Sequence, residues 1–338
     1  MGISAENRNI GPKIGDASFG RTPKRKPGKV VQYFKNMWLH KYIYLFLLPG
    51  LIFLILFRYL PMYGIQIAFR DYNPMLEITQ APWKGFYFFE QFMKSPVFWD
   101  LVGNTLLLST VKLLLLTPAA ILLAILINEV RCMAFKRTIQ TISYLPYFLS
   151  WVIISVFTYN LFATDTGLIN RILISMGLEP WNIYTQPEAW RGVLTGLHVW
   201  KSVGYSTIVY LAAITGINPE LYDCASIDGA GRFRKIIHVT LPQIVPVIVV
   251  LLILNSGSLV NGDFEQIFAF VGTPANNPLN KYVDVLDTYI YRIGLQQGTQ
   301  FSYAAAIGLF RGVIGAFLVY GANKLAAVLQ DDEKFRLF

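Results

Sequence analysis

LYDCASIDGAGRFRKIIHVTLP, residues Leu221 to Pro242, is a short polar island between two long apolar runs. Just before it, Asn218-Pro219-Glu220 reads as a helix start, with Asn as N-cap and Pro at the first helical position. Glu220 and Asp223 then face the positive end of the helix macrodipole, which stabilises both. Leu221, Tyr222 and Ala225 give this helix an apolar side. Asp228-Gly229 breaks it, because glycine accepts the left-handed geometry that a sharp stop needs. Arg232 to His238 reads as a second short amphipathic helix, with Phe233, Ile236 and Ile237 on one side, ending at Leu241-Pro242 where apolar sequence resumes. The spacing predicts a helix–turn–helix hairpin over 218–242. A compact hairpin of this kind between membrane spans is an element offered to a partner.

The sequence on both sides is membrane-like. Hydrophobic residues make up 54% of the chain and charged residues 14%, and mean hydropathy is +0.45. These values place the chain among polytopic membrane proteins. A span needs about 20 mainly apolar residues, and six runs qualify, at roughly 42–62, 104–128, 138–163, 192–216, 241–260 and 302–325. The fold class is therefore all-α and polytopic, with six transmembrane helices over 41–326. The connections leave no room for a catalytic or nucleotide-binding domain.

Charge gives the orientation. Residues 1–40 are rich in Lys, Arg, Gly and Pro and read as a disordered or surface-lying tail rather than a cleavable signal. Lys24, Arg25, Lys26, Lys29, Lys35 and Lys41 all precede the first span, and Arg131, Lys136 and Arg137 lie in the turn after the second. By the positive-inside rule both are cytoplasmic, as are the two termini, including a short C-terminal tail over 327–338. The connections 61–100, 164–190 and 261–301 lean acidic and fall outside. The net charge of +9 belongs mostly to the basic tail, where anionic lipid is its natural counterpart. Nucleic-acid binding has little support, since no aromatic stacking platform is interleaved with the basic residues.

Other chemistries are excluded by what the motifs lack. Cys132 and Cys224 both fall on the cytoplasmic side, without a CxxC partner, so no disulfide is expected. His40, His198 and His238 show no metal-ligand spacing, and no metal site is expected. There is no nucleophile–base signature and no Walker A loop. The chain reads as a non-enzyme with no cofactor of its own.

The 221–242 stretch resembles the coupling motif of ABC importer permeases. That family carries Glu-Ala-Ala, three residues, Gly-Ala and, a dozen residues on, Leu-Pro. Here Asp223-Cys224-Ala225, Gly229-Ala230 and Leu241-Pro242 occupy those places. Asp223 is one methylene shorter than the usual Glu, and Cys224 is a small near-isostere of Ala. Asn104-Thr105-Leu106, Trp200-Lys201, Tyr210-Leu211-Ala212-Ala213 and the stretch from Asp284 to Asn323 extend the likeness over about residues 40–325. They are similar to the oligo- and polysaccharide-type permeases, relatives of the first maltose-transporter permease subunit, without that subunit's large extracellular insertion. The resemblance implies a type I importer fold in a prokaryotic plasma membrane. It also implies a second homologous permease, two copies of an ABC ATPase that binds the ATP, and an extracellular solute-binding lipoprotein that delivers a carbohydrate. Asp223, Cys224, Ala225, Gly229, Ala230, Leu241 and Pro242 would be the ATPase-coupling residues.

Candidate pathway residues come from polar groups inside apolar runs. Lys112, Lys201 and Arg311 each fall eight or nine residues below the start of their span, roughly 12–14 Å at helical rise, with no acid inside any span. They favour an anionic oligosaccharide such as one containing uronates; the competing assignment is bonding to a neighbouring carbonyl or snorkelling. Asn255 and Ser256, in the polar outer half of the fifth span, could meet sugar hydroxyls, while Trp200, Tyr205 and Trp151 offer aromatic faces. Packing and interfacial anchoring account for the same residues. Two alternatives stand beside carbohydrate import. One is another importer cargo such as a glycerol phosphodiester. The other is an ion-coupled secondary transporter, which the lack of acids within the spans disfavours.

Overall fold

The computed structural model describes residues 40–330, apart from 165, 182, 184–185 and 273–278. Nearly all of the basic N-terminal tail and residues 331–338 of the C-terminal tail lie outside the described residues. Among the described residues the chain is helical throughout, and strand-type pairing is limited to one isolated bridge between Arg70 and Trp83.

Residues up to Tyr63 form a unit of their own. In it, Lys41–Leu54 (α1) runs on through a π-turn, Ile55–Tyr59, with no buried residue. A helix apolar all round is suited to lipid. The second unit, from Gly64 on, contains Tyr87–Met93 (α2), Phe98–Glu129 (α3), Met133–Tyr144 (α4), Trp151–Phe162 (α5) and Leu168–Ser175 (α6). Ala189–Thr215 (α7), Pro219–Ile227 (α8), Arg232–Lys235 (α9) and Leu241–Ser256 (α10) follow. The chain then forms Phe264–Val271 (α11), Asn280–Val283 (α12), Leu286–Tyr291 (α13) and Phe301–Gln330 (α14).

Among the described residues, four helices are long and apolar enough to cross a membrane: Lys41–Phe69, Phe98–Glu129, Arg232–Val260 and Phe301–Lys324. The expected third span is broken. Met133–Phe148 and Trp151–Phe162 meet at 98°, so they count together as at most one crossing. Pro146 sits in a 3-10 turn before the break, and Ser150 caps the new helix by accepting a hydrogen bond from the Ile153 amide at 3.3 Å. The expected fourth span is α7, whose polar residues keep it from passing on apolarity alone.

Helices α3 and α7 form the central pair and run parallel. Asn104 meets Arg191 and Ala120 meets Thr207, both at a sequence offset of 87. Two parallel helices in succession require the chain to return between them, and only the bent segment 133–162 is long enough to do so. The contact is tight: a Cβ on Gly204 of α7 would meet the Ser143 carbonyl oxygen at 2.0 Å. Helix α14 runs antiparallel to the 241–260 helix. A Cβ on Gly257 would meet Val319 at 2.6 Å, and one on Gly315 would meet Val260 at 2.9 Å.

The apolar core lies along α3. Its first turns pack with α2, α13 and α14 around Phe92, Phe98, Leu286 and Ile307. Its middle packs with α7 and α11 around Leu108, Leu194 and Ile267, and its end with α7 and α10 around Ala124, Ile214 and Ile244. In the connection 261–301, read from sequence as an outside loop, the described residues after 278 fold back onto this core. The Asn104 amide donates to the carbonyls of Lys281 and Asp284 at 3.0 and 3.2 Å, and Thr105 Oγ1 accepts from the Leu286 amide at 3.0 Å. Arg191 donates to Asn104 Oδ1 at 2.7 Å and to the Tyr282 carbonyl at 2.9 Å. Hydrogen bonds of this charged kind contribute about 1.5–3 kcal/mol each, which gives the Asn104-Thr105 pair a structural task.

Candidate functional site

The polar island forms the expected hairpin. Asn218 caps α8, its side chain accepting from the Glu220 amide at 3.1 Å, with Pro219 in the first turn. At the other end Gly229 adopts φ +73°. The Ala230 amide reaches back to the Ala225 carbonyl at 2.9 Å and the Gly229 amide to Ser226 at 3.1 Å. These are the two bonds of a Schellman stop. The Ala225 carbonyl, the glycine and the small residue after it are thus the parts of one turn, which is why their spacing is fixed.

The second arm differs from the expected short helix. After α9 the backbone takes a π-turn over Ile236–Thr240, in which the Leu241 amide bonds the Ile236 carbonyl, and helix continues to Val260. Leu241-Pro242 is therefore not an end. Pro242 lacks an amide proton, and the wider π-turn just before it passes the proline without interrupting the rod.

The arms are tied by Tyr222 Oη and Thr240 Oγ1 at 2.9 Å and by Lys235 Nζ, which donates to Ser226 Oγ at 2.5 Å. Between them lies an open groove of about 530 Å³ lined by Cys224, Ala225, Asp228, Ala230, Arg234 and His238. Asp223 is exposed, as are the free thiols of Cys132 and Cys224. Ile227 is 86% and Phe233 82% exposed, apolar groups left for another surface. Tyr222→Phe is expected to remove about 1 kcal/mol of local stability. Amide exchange in α8 should then be about fivefold faster, measured by mass spectrometry on the purified protein.

A second polar centre lies between α3, α7 and the Val260 end of the 241–260 helix. A cavity of about 300 Å³ there is lined by Ser109, Lys112, His198, Ser206, Asn255, Ser258, Asn261 and Asp263, with Leu113, Leu116 and Leu259. Lys112, 4% exposed, donates to Asp263 Oδ2 at 2.7 Å and to Gln266 Oε1 at 2.6 Å. His198 Nδ1 lies 3.0 Å from the same carboxylate oxygen, with its ring over Trp151. Gln266 in turn donates to the Leu194 carbonyl at 2.7 Å. Asp263 has φ +47°, and no other non-glycine among the described residues has a positive φ. That left-handed backbone turns its carboxylate onto Lys112.

The three cations that fall inside apolar runs each meet a partner within the chain. Lys112 pairs with Asp263 and Arg311 with Asp287. Lys201 Nζ donates to the carbonyls of Tyr147 and Leu149, at 3.2 and 2.5 Å, beside the break in the third span. It also lies 4.9 Å from the Trp151 ring. A broken helix at membrane depth exposes carbonyls, and a lysine there supplies the missing donors. The acids come from the 261–301 connection, which carries Asp263 and Asp287 into the bundle. A third pair, Arg292 with Asp284, is also buried.

Of the pathway candidates, the structure brings Lys112 and Asn255 to the cavity. Ser256 is buried and bonds its own helix at the Ile253 carbonyl, 2.6 Å away. Tyr205 stacks on Tyr147 with ring centroids 4.0 Å apart, and Trp200 is half-exposed. Asp263, Gln266, His198 and Ser206 were missed, because each joins the site only through the fold. The run Asn261-Gly262-Asp263 carried the one available signal. Gly262 is required there by the close approach of Val285, whose Cγ2 a Cβ would meet at 2.4 Å.

Residues 116–329 match the family described as binding-protein-dependent transport system inner membrane component. Protein LplB of Bacillus subtilis (strain 168) is 41% identical over 325 residues, 96% of this chain and 99% of that protein. The polygalacturonan/rhamnogalacturonan transport system permease protein YteP of the same organism is 45% identical over 287 residues, 85% and 88% of the two chains. A crystal structure of a bacterial ABC transporter involved in the import of the acidic polysaccharide alginate contains a similar chain. It superposes with a TM-score of 0.80 at 38% identity, covering 89% of this chain and 99% of that one.

Proposed function

The chain belongs to the binding-protein-dependent transport system inner membrane components, and from that premise we propose that it forms half of the translocation route for an acidic oligosaccharide. It is a transport permease, not an enzyme. In this reading it crosses a prokaryotic plasma membrane six times with both termini in the cytoplasm, the bent segment 133–162 and α7 supplying the third and fourth crossings. A second permease completes the route, and each permease presents its hairpin to one of two ATPase subunits, which bind the ATP. An extracellular binding protein delivers the cargo.

The observation that carries this reading is the 218–240 hairpin, with its Schellman turn at Gly229 and its exposed apolar and acidic groups. The Asp223-Cys224-Ala225 and Gly229-Ala230 elements form one solvent-facing surface suited to a cytoplasmic partner. The polygalacturonan relative and the alginate importer support an acidic saccharide cargo. We assign Lys112 and Asn255 to the cargo-facing wall of the 300 Å³ cavity. Lys201, Arg311, Trp200, Tyr205 and Ser256 are further pathway candidates that do not line this cavity.

Affinity purification of the tagged chain from its own membrane, with mass spectrometry of the eluate, tests the assembly. A second permease and an ATPase are expected; their absence from well-folded protein rejects it. In proteoliposomes containing the whole complex, oligogalacturonate uptake is expected to outpace that of a neutral oligosaccharide. Asn255→Ala is expected to raise KM about fivefold, the worth of one neutral hydrogen bond. An unchanged KM removes Asn255 from the route.

A further inference from the structure

A second polar cavity, of about 330 Å³, lies between the 71–91 segment and the start of α14. It is far from both sites described above. The antiparallel packing sets Gly315 beside Val260, so Phe301, fourteen residues earlier, lies about 21 Å further from the hairpin than the outer end of the 241–260 helix. This cavity therefore opens beyond the mouth of the 300 Å³ cavity, at the end of the molecule away from the hairpin.

Its lining combines two kinds of group. Gln91, Thr299 and Gln300 are exposed, and their side chains make no hydrogen bond among the described residues. Lys84 and Asp71, both about half-exposed, form a surface ion pair at 3.8 Å, and Lys84 also lies 6.0 Å from the Tyr87 ring; an exposed pair of this kind contributes at most about 1 kcal/mol, so both groups stay open to a ligand. Tyr72, Tyr87 and Phe301 add aromatic surface, Tyr87 being 55% exposed. The frame is fixed: the Tyr72 amide donates to Ser302 Oγ at 2.9 Å, and Tyr72 packs edge-on to Phe301 at 6.3 Å. A partner for this surface must present vicinal donors and acceptors to planar amides, offer apolar C–H faces to aromatic rings, and tolerate one cation with a carboxylate beside it.

We infer that this cavity is an entry subsite for an oligosaccharide, holding one part of the chain outside the translocation route while another part enters. The inference rests on the saccharide reading of the previous subsection for its ligand class, and on the uncommitted amides, Lys84 and Tyr87 for its location. A volume near 300 Å³ is at the small end for ligand sites and suits a short stretch of sugar rather than a whole polymer. The subsite then acts only on chains long enough to reach both cavities.

The test uses the assembled complex in nanodiscs, without ATP or binding protein, titrated with short and long oligogalacturonates. Gln91 and Gln300 are surface residues, so Gln91→Ala/Gln300→Ala is expected to fold normally. Loss of two hydrogen bonds is expected to weaken binding about tenfold for long chains. Binding of short chains, which cannot reach both cavities, is expected to be unchanged by the double variant. Undiminished binding in the double variant, or no binding in the wild type, overturns the inference. So does intact binding combined with loss of binding-protein stimulation of the ATPase, which makes the surface a protein dock. Glutamine-dependent binding by a complex that moves no saccharide upholds the subsite and rejects the transport reading instead.

Discussion

Gly229→Pro is expected to abolish ATPase recovery and uptake while leaving the permease inserted in the membrane. Gly229 has φ +73°, a region proline cannot enter because its ring holds φ near −65°. Proline would also delete the amide that bonds Ser226 at 3.1 Å. Together these cost about 3 kcal/mol or more, enough to open the turn. Packing does not enter, since no atom lies within 4 Å of where a Cβ would sit. Gly229→Ala thus isolates the backbone effect, at about 1–2 kcal/mol, and should keep part of the function. The graded order Gly, Ala, Pro in ATPase co-purification is the readout. Full recovery with the proline variant would refute the coupling role of the hairpin.

The second large effect is expected at Asp263. Removing it leaves Lys112 charged, with a side chain 5% exposed, and with only the Gln266 oxygen to face. Stranding one partner of a buried ion pair costs about 3–5 kcal/mol. Asp263→Ala is therefore expected to lower the melting temperature of the purified complex sharply. Asp263→Asn should cost less, because asparagine tolerates the left-handed backbone at φ +47° and keeps an acceptor. Lys112→Met combined with Asp263→Ala should be more stable than Asp263→Ala alone, because no uncompensated charge remains. If the double variant is as unstable as the sum of the two singles, the pair is not the source of the stability.

The hairpin was legible in the sequence because its signals are local. Asn218, Pro219 and Gly229 each impose a backbone state within a turn of where they stand. Four of the expected spans were legible for the same reason, through apolar length. Pro242 misled, since a proline after a polar helix reads as a boundary, and only the backbone reveals the π-turn that carries the helix past it. The bend in the third span had signals in Pro146 and Ser150, but a continuous apolar run conceals a 98° turn. The charge pairs were out of reach. Lys112 and Asp263 are 151 residues apart, and periodicity orders residues on one helix without saying which connection folds onto it. The cations in the spans and the acids in the 261–301 connection were both visible, and only their meeting was not.

Because the π-turn replaces a hinge, residues 232–260 are one uninterrupted rod of 29 residues, about 43 Å long. Phe233, exposed near one tip, and Asn255 and Ser258, beside the cavity near the other, are fixed to the same shaft. A push on the hairpin therefore cannot be absorbed at the membrane surface; it tilts or twists the shaft as a piece. On the proposed coupling role, the stroke of a partner at the hairpin and the reshaping of the cavity beside Asn255 would be linked through this one helical segment. Softening the shaft at Ile236–Thr240 would let ATP be spent without cargo moving.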